Sequence, residues 1–526
     1  MLRRLLAPLL LLPLLPLTAA ASGGAAAAMR STTDATSQMI VGAIIVTVFT
    51  LLALEKVHRV LVVMGAVALI WAITYFTPFK LITFEGAAQA LDYNVLFLLA
   101  SMMALVGVLK TTGVFEWAVA KMLTRADGDA TRVLYGIVWF TGILSATCDN
   151  VTTVIFVTPM AYQMAKAMRL NPMALLLPVV MASNVGGTAT LIGDPPNIMI
   201  GSGAGLSFLD FILNLTAPVT VMMFILPWFS IRYFRADFEA ARSAADPATS
   251  VEVPAIVDPL LLRWALWISG LVFIGFFTHG FTGMPTAVPA TIGAGALLIV
   301  QDILYLRTHK PTHEERQHGL LAIVEKEIEW PTLSFFGFLF IAVGAAVQTG
   351  LIDTMARGLT WVVESGSATL GLGGLGTLLF AALLICWVSG FLSAIIDNIP
   401  FVAVMIPILH RMIGEMPGDA TVLWWALALG ACLGGNGTAV GASANVTVIG
   451  IAERMGNRIS FREFTRFGSR VAVMTLAMSS VFLATHVYFG QGGALVIWSA
   501  VVAAILLWKL ALRIAHMVPA RAAAVR

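Results

Sequence analysis

Charge is scarce in this chain: Asp, Glu, Lys and Arg make up 11% of its 526 residues, against 59% hydrophobic residues. Ordinary soluble domains carry about 25% charged residues. No soluble core could hide this much apolar sequence, so lipid must be the solvent, in keeping with a mean hydropathy of +0.91. Cysteine is also rare. Cys148, Cys386 and Cys432 are the only three, all in apolar segments, and they form neither a disulfide framework nor a metal-ligand spacing. The period-two alternation of a transmembrane barrel is missing. So is an ATP-binding P-loop, and no nucleophile–base pair or zinc spacing recurs. These absences point away from barrels, ATP-driven pumps and membrane-embedded enzymes.

What remains is long helical hydrophobic sequence interrupted at a few polar places. About 20 apolar residues span a bilayer. On that measure we expect eleven transmembrane helices near 39–55, 58–78, 94–113, 172–204, 214–231, 261–280, 285–306, 331–350, 421–453, 470–489 and 494–514. Two more apolar regions, 133–168 and 372–410, are each cut in the middle by an Asp-Asn pair. Positive charge flanks both ends of 133–168, which reads as a re-entrant hairpin with arms of about 16 residues, roughly 24 Å of helix. The Trp-rich places, Trp264-Trp267 and Trp424-Trp425, read as interfacial belts.

The polar interruptions repeat. Ser145-Ala-Thr-Cys-Asp149-Asn150 precedes Gly186-Gly-Thr-Ala-Thr190-Leu-Ile-Gly193-Asp194-Pro195-Pro196-Asn197. Ser393-Ala-Ile-Ile-Asp397-Asn398 precedes Gly434-Gly-Asn436-Gly-Thr438-Ala-Val-Gly441-Ala-Ser443-Ala-Asn445. Asp149 to Asp397, Gly193 to Gly441 and Asn197 to Asn445 are each 248 positions apart. The helices around Thr112-Gly113 and Thr349-Gly350 match at an offset of 237. Broken hydrophobic segments at corresponding places in two halves are the sequence mark of a secondary transporter built from inverted repeats.

The expected organisation is therefore a signal peptide over 1–22, a first repeat over 39–231, a cytoplasmic linker over 232–259, a second repeat over 260–490 and an extra helix over 494–514. The Lys and Arg clusters after 55, 113, 168, 231, 306 and 453 fall on one side of this layout. By the positive-inside rule it is a multi-pass cell (inner) membrane protein with its C-terminus in the cytoplasm. His309, His313 and His318 sit in a charge-mixed loop and read as solvated.

Carboxylates in lipid are expensive and mark pathways. Asp149 and Asp397 each start a helix beside an Asn, where the bland reading is an N-cap. Placement at matching positions inside hydrocarbon favours a functional ionisation. Burial raises a carboxylate's pKa and a bound cation lowers it, so such a group can trade a proton for a cation. At 191–197, two prolines and Gly193 force the helix to unwind, and Asp194 adds a charge at the break. Asn150, Asn197, Asn398, Asn436, Asn445, Thr152, Thr190, Thr438 and Ser443 supply neutral oxygens suited to a hard cation such as sodium. The amides could equally hold an anion. The expected sodium ligands are Asp149, Asp194, Asn197, Asp397 and Asn445, with sodium and protons as coupling ions and no other cofactor. Ser183-Asn184 is a weaker candidate, balanced against helix packing.

At Ser145–Thr153 and Ala182–Asn197 the chain resembles the ion transporter superfamily, in the branch of the melanosomal P protein and bacterial sodium/proton antiporter and arsenite-permease relatives, with a citrate transporter-like domain. The resemblance covers roughly 39–490. It implies two re-entrant hairpins, frequently a homodimer, and an elevator-like mechanism. More distantly it reaches sodium-coupled dicarboxylate carriers, which have Ser where this chain has Asp149 and Asp397. By that comparison Asn150 and Asn398 face the substrate. Two added carboxylates would repel a dicarboxylate, so sodium/proton antiport is the expected function. The alternative is a carrier of an anion or oxyanion such as citrate or arsenite.

Overall fold

The structure is a computed structural model that describes residues 34–54, 56–126, 129–243, 254–308, 323–416 and 419–524. The expected signal peptide and the three loop histidines lie outside these. The described residues are helical, with no strand among them. Nine helices among them are long and apolar enough to cross a membrane. The last of these, Phe461–Ala511, contains two expected spans, because the continuous helical run is broken at Gly490, whose φ of 69° ends one helix and starts the next. The expected spans 172–204 and 421–453 do not cross as single helices. Each is broken, into Met173–Gly187 with Pro195–Ala204, and into Val422–Gly434 with Ser443–Arg454.

Both Asp-Asn cuts are the tips of helical hairpins. The first pairs Ala130–Thr147 with Asn150–Ala167, and the second pairs Leu375–Ile395 with Asn398–Glu415. Their arms of 18, 18, 21 and 18 residues are longer than expected, about 27–32 Å of helix. The reason is local. Two extended residues suffice to reverse the chain, since the aspartate caps the second arm immediately. Pro159 and Pro407, also 248 apart, sit inside the second arms. Two helices outside the expected spans, Val114–Ala126 and Leu351–Thr369, lead into the hairpins. Glu116 and Asp353 lie in their first turns, and Asp353 pairs with Arg411 of the second hairpin at 2.9 Å.

The repeat holds at the level of single contacts. In the first half the Ser145 hydroxyl donates to the Ser183 carbonyl at 2.7 Å, and Thr190 donates to the Ala146 carbonyl at 2.6 Å. In the second half Ser393 donates to the Ala431 carbonyl at 2.6 Å, and Thr438 donates to the Ala394 carbonyl. A Cβ at Gly186 would stand 2.3 Å from the Gly142 carbonyl oxygen, and one at Gly434 would stand 2.3 Å from that of Gly390. Only glycine lets each hairpin arm approach its broken helix this closely, as small residues do between membrane helices.

The halves are also exchanged. The second arm of the first hairpin packs on Ser443–Arg454, and the second arm of the second hairpin packs on Pro195–Ala204. Hairpins and broken helices thus form one interlocked core. Four further long helices pair outside it, Arg59–Phe76 with Trp330–Gln348, and Ala287–Thr308 with Tyr93–Thr111. Trp424 and Trp425 are buried at 4% and 3%, with Trp425 edge-on to Phe211 at 5.2 Å, so they are core packing and not an interfacial belt. Trp264 and Trp267 are exposed at 47% and 68%, as a belt requires.

Candidate functional site

The two tips and the two breaks converge. Asp149 accepts from the Thr152 backbone N–H at 2.8 Å and from the Thr152 hydroxyl. Asp397 accepts from the Ile399 N–H at 3.3 Å and from the Ser443 hydroxyl at 3.0 Å. Both are therefore N-caps, as local chemistry favours. Their other surroundings differ, because Ser443 belongs to the second broken helix while Thr152 belongs to the same arm as its aspartate.

Asp194 stands apart. It occupies the N-cap position of Pro195–Ala204 but makes no capping bond, since prolines follow it. It is 1% exposed, and neither carboxylate oxygen reaches a partner at hydrogen-bond geometry. The Cys432 thiol is directed at Asn197 Oδ1 at 3.5 Å, and Asp194 shares a cavity wall with Asp149 and Asn398. Its repeat counterpart, Ala442, has nearly the same backbone, φ −150° and ψ 144° against φ −146° and ψ 133°. The extended shape therefore needs no carboxylate. Burying an ionisable group without a hydrogen bond costs several kcal/mol on the order of magnitude, which makes this residue a poor structural choice and a good site residue.

Between the breaks lies a chain of asparagines. The Asn150 amide donates to Asn184 Oδ1 at 3.2 Å, and the Asn184 amide donates to Asn436 Oδ1 at 2.9 Å and Asn445 Oδ1 at 3.0 Å. All four are buried. Asn150 Oδ1, Asn398 Nδ2 and Asn436 Nδ2 keep unused hydrogen-bonding capacity. Asn197 and Asn445 are occupied differently. Asn197 Nδ2 serves the carbonyls of Gly187, Thr188 and Thr190, and Asn445 Nδ2 serves those of Gly435 and Thr438. They satisfy the backbone that unwinding frees. Thr190 and Thr438 are likewise committed, as the staples described above. Gly193 and Gly441 pass close to Gly187 and Gly435, where a Cβ would meet backbone oxygen at 2.5 and 2.6 Å.

Two adjoining cavities reach this cluster. The inner one, about 30 Å³, is lined by Asp149, Asn150, Asp194, Asn398, Ser443 and Glu329, among others. The outer one, about 410 Å³, is lined by Asp397, Ser443, Glu329, His58 and Thr447, among others. Arg59 lines both. Among the described residues no three His, Cys, Asp or Glu side chains gather as a metal cluster. Asp149 and Asp194 line the inner cavity, Asp397 the outer one, and Glu329 both.

Arg59, Glu329 and Thr332 escape a reading of the motifs, and Asn184 is underweighted by it. Arg59 reads as one more cytoplasmic cation, yet its guanidinium reaches Ser443 at 2.9 Å and Thr332 at 2.7 Å. Glu329 and Thr332 look like a helix start. The repeat alignment, which sets Tyr93 against Trp330, was the signal that this helix start matters. Asn184 proves central: it is the residue that joins the first tip to the second break.

A core of paired hairpins and broken helices with carboxylates at its tips and break defines a secondary transporter. The family described as citrate transporter matches residues 49–430, and the chain belongs to it. An uncharacterized transporter of Mycobacterium bovis is 37% identical over 84% of this chain and 96% of its own length. The P protein of Homo sapiens is 29% identical over 86% of this chain and 61% of its own length. The YdaH transporter of Alcanivorax borkumensis, whose crystal structure revealed an unusual topology, shares the fold at a TM-score of 0.50 and 14% identity, over 82% of this chain and 99% of that one.

Proposed function

We propose that this protein exchanges sodium for protons across the membrane by alternating access. The observation that carries the reading is Asp194, a buried carboxylate without hydrogen bonds at a helix break, which shares the inner cavity with Asp149 and with Asn398 beside Asp397. Four carboxylates, counting Glu329, line the cavities against one guanidinium, so the space favours a positive occupant. Either a proton or a metal cation can neutralise such a group, and competition between them is exchange. The carboxylates, with free amide oxygen at Asn150, offer hard oxygen ligands to sodium. The second reading, transport of an anion such as citrate or arsenite, has Arg59 and the family's description in its favour. In proteoliposomes with an internal pH dye, sodium added outside acid-loaded vesicles is expected to alkalinise the lumen, and citrate is not. Citrate accumulation without any sodium/proton exchange would reverse the assignment.

The repeats over 39–231 and 260–490 are proposed to lie inverted in a cell (inner) membrane. The 232–259 and 307–329 loops and the C-terminus would then share the cytoplasm. Single-cysteine labelling with an impermeant reagent is expected to spare all three in intact cells. Labelling of any one from outside would remove the inverted arrangement.

A further inference from the structure

We infer that Arg59 is an internal cation that competes with the transported one for Asp397, and so latches the unloaded core to the outer helices. The inference rests on the cation reading above. Arg59 is the first residue of Arg59–Phe76, where the helix dipole disfavours positive charge and no local partner rewards it. Its side chain is held from one side by the outer helix Trp330–Gln348: Nη2 donates to Thr332 Oγ1 at 2.7 Å, and the guanidinium lies 5.5 Å from the centre of the Phe335 ring. Thr332 in turn donates to Glu329 at 2.8 Å. On the other side Arg59 reaches the core. Nη1 donates to Ser443 Oγ at 2.9 Å, Ser443 donates to Asp397 Oδ2 at 3.0 Å, and Nη1 lies 4.0 Å from that same oxygen.

The fork geometry of arginine lets one side chain join the two bodies at once. The donors and acceptors also set when the join exists. Charge draws the Arg59 guanidinium to Asp397 while that carboxylate is ionised and carries no cation. A proton or a sodium ion on Asp397 removes the charge that attracts the guanidinium. The core is then tethered when empty and released when loaded with either ion. That is the rule a coupled exchanger needs, since passage of the empty core would let one ion run down its gradient without the other. The second half carries this tether alone: the residue matching Ser443 in the first half is Pro195, which has no hydroxyl to relay.

Two variants test this. Arg59→Gln removes the charge; Thr332→Val leaves the charge but removes its anchor on the outer helix. Equilibrium binding of radiolabelled sodium to purified protein is expected to show half-saturation lowered about tenfold in Arg59→Gln, within the usual range of site coupling, and by less in Thr332→Val. Proteoliposomes containing Arg59→Gln, with the membrane potential clamped by potassium and valinomycin, are expected to leak sodium down its gradient without the matching proton uptake that accompanies sodium release in the parent. Arg59→Lys, keeping a charge without the fork, should fall between. Parental half-saturation and no leak in both Arg59→Gln and Thr332→Val would overturn the latch while leaving the cation reading intact. No sodium binding by the parent at any pH would overturn both.

Discussion

Asp149→Asn and Asp397→Asn are each expected to abolish proton-coupled exchange in a protein that still folds. Both aspartates cap a hairpin arm by accepting a backbone N–H, from Thr152 and Ile399. Asparagine is as good an N-cap as aspartate, so the arm keeps its start and loses little stability. What the amide cannot do is bind and release a proton in the working pH range. The flux measurement with the internal dye reads the loss, and a thermal midpoint close to the parent's reads the intact fold. The two variants should differ in one respect. Asp397→Asn also removes the charge facing Arg59, whereas Asp149 has Thr152 for its partner. Parental sodium/proton flux in both single variants would reduce the pair to caps and strengthen the anion reading.

Asp194→Ala is expected to raise stability and to weaken sodium binding at the same time. The side chain is buried and its oxygens have no hydrogen bonds, a burden of roughly 1–3 kcal/mol. Alanine at the matching position, Ala442, already adopts this backbone. Removing the carboxylate therefore relieves desolvation without disturbing the break, and stability gained at a site residue is the usual counterpart of function lost. Half-saturation for sodium should rise at least about tenfold, the equivalent of roughly 1.4 kcal/mol. Ser443→Ala removes only a neutral hydroxyl and should raise it less. Asn197 and Asn445 behave differently. Their amides satisfy carbonyls of the unwound segments, so Asn197→Ala or Asn445→Ala should lower the thermal midpoint, where Asp194→Ala raises it. Unchanged sodium binding together with an unchanged midpoint in Asp194→Ala would show that this carboxylate is neither strained nor functional.

Much of this architecture is legible in the chain itself. Composition alone requires lipid as solvent. Proline and glycine in apolar runs mark where helices must break, because both act through the backbone of their own segment. The 248-residue offset then pairs Asp149 with Asp397 and Gly193 with Gly441 before any contact is known. These are properties of a residue's own transfer energy, its own backbone, or its spacing from a copy. Tertiary structure decided the rest. Thr190 and Asn197 look like free side chains in a motif, yet the Thr190 hydroxyl and the Asn197 amide N–H are given to backbone carbonyls, which leaves only their oxygens to accept. Trp424 and Trp425 look interfacial, yet packing against Phe211 buries them. Arg59 looks like a cytoplasmic marker, yet it meets Ser443 across 384 residues of chain, and Asn184 meets Asn436 across 252. Local chemistry states what a side chain can bond to. Which of its possible partners it meets depends on how the helices are brought together, and here that is set by close approach at Gly142–Gly186 and Gly390–Gly434 and by the exchange of hairpins between halves.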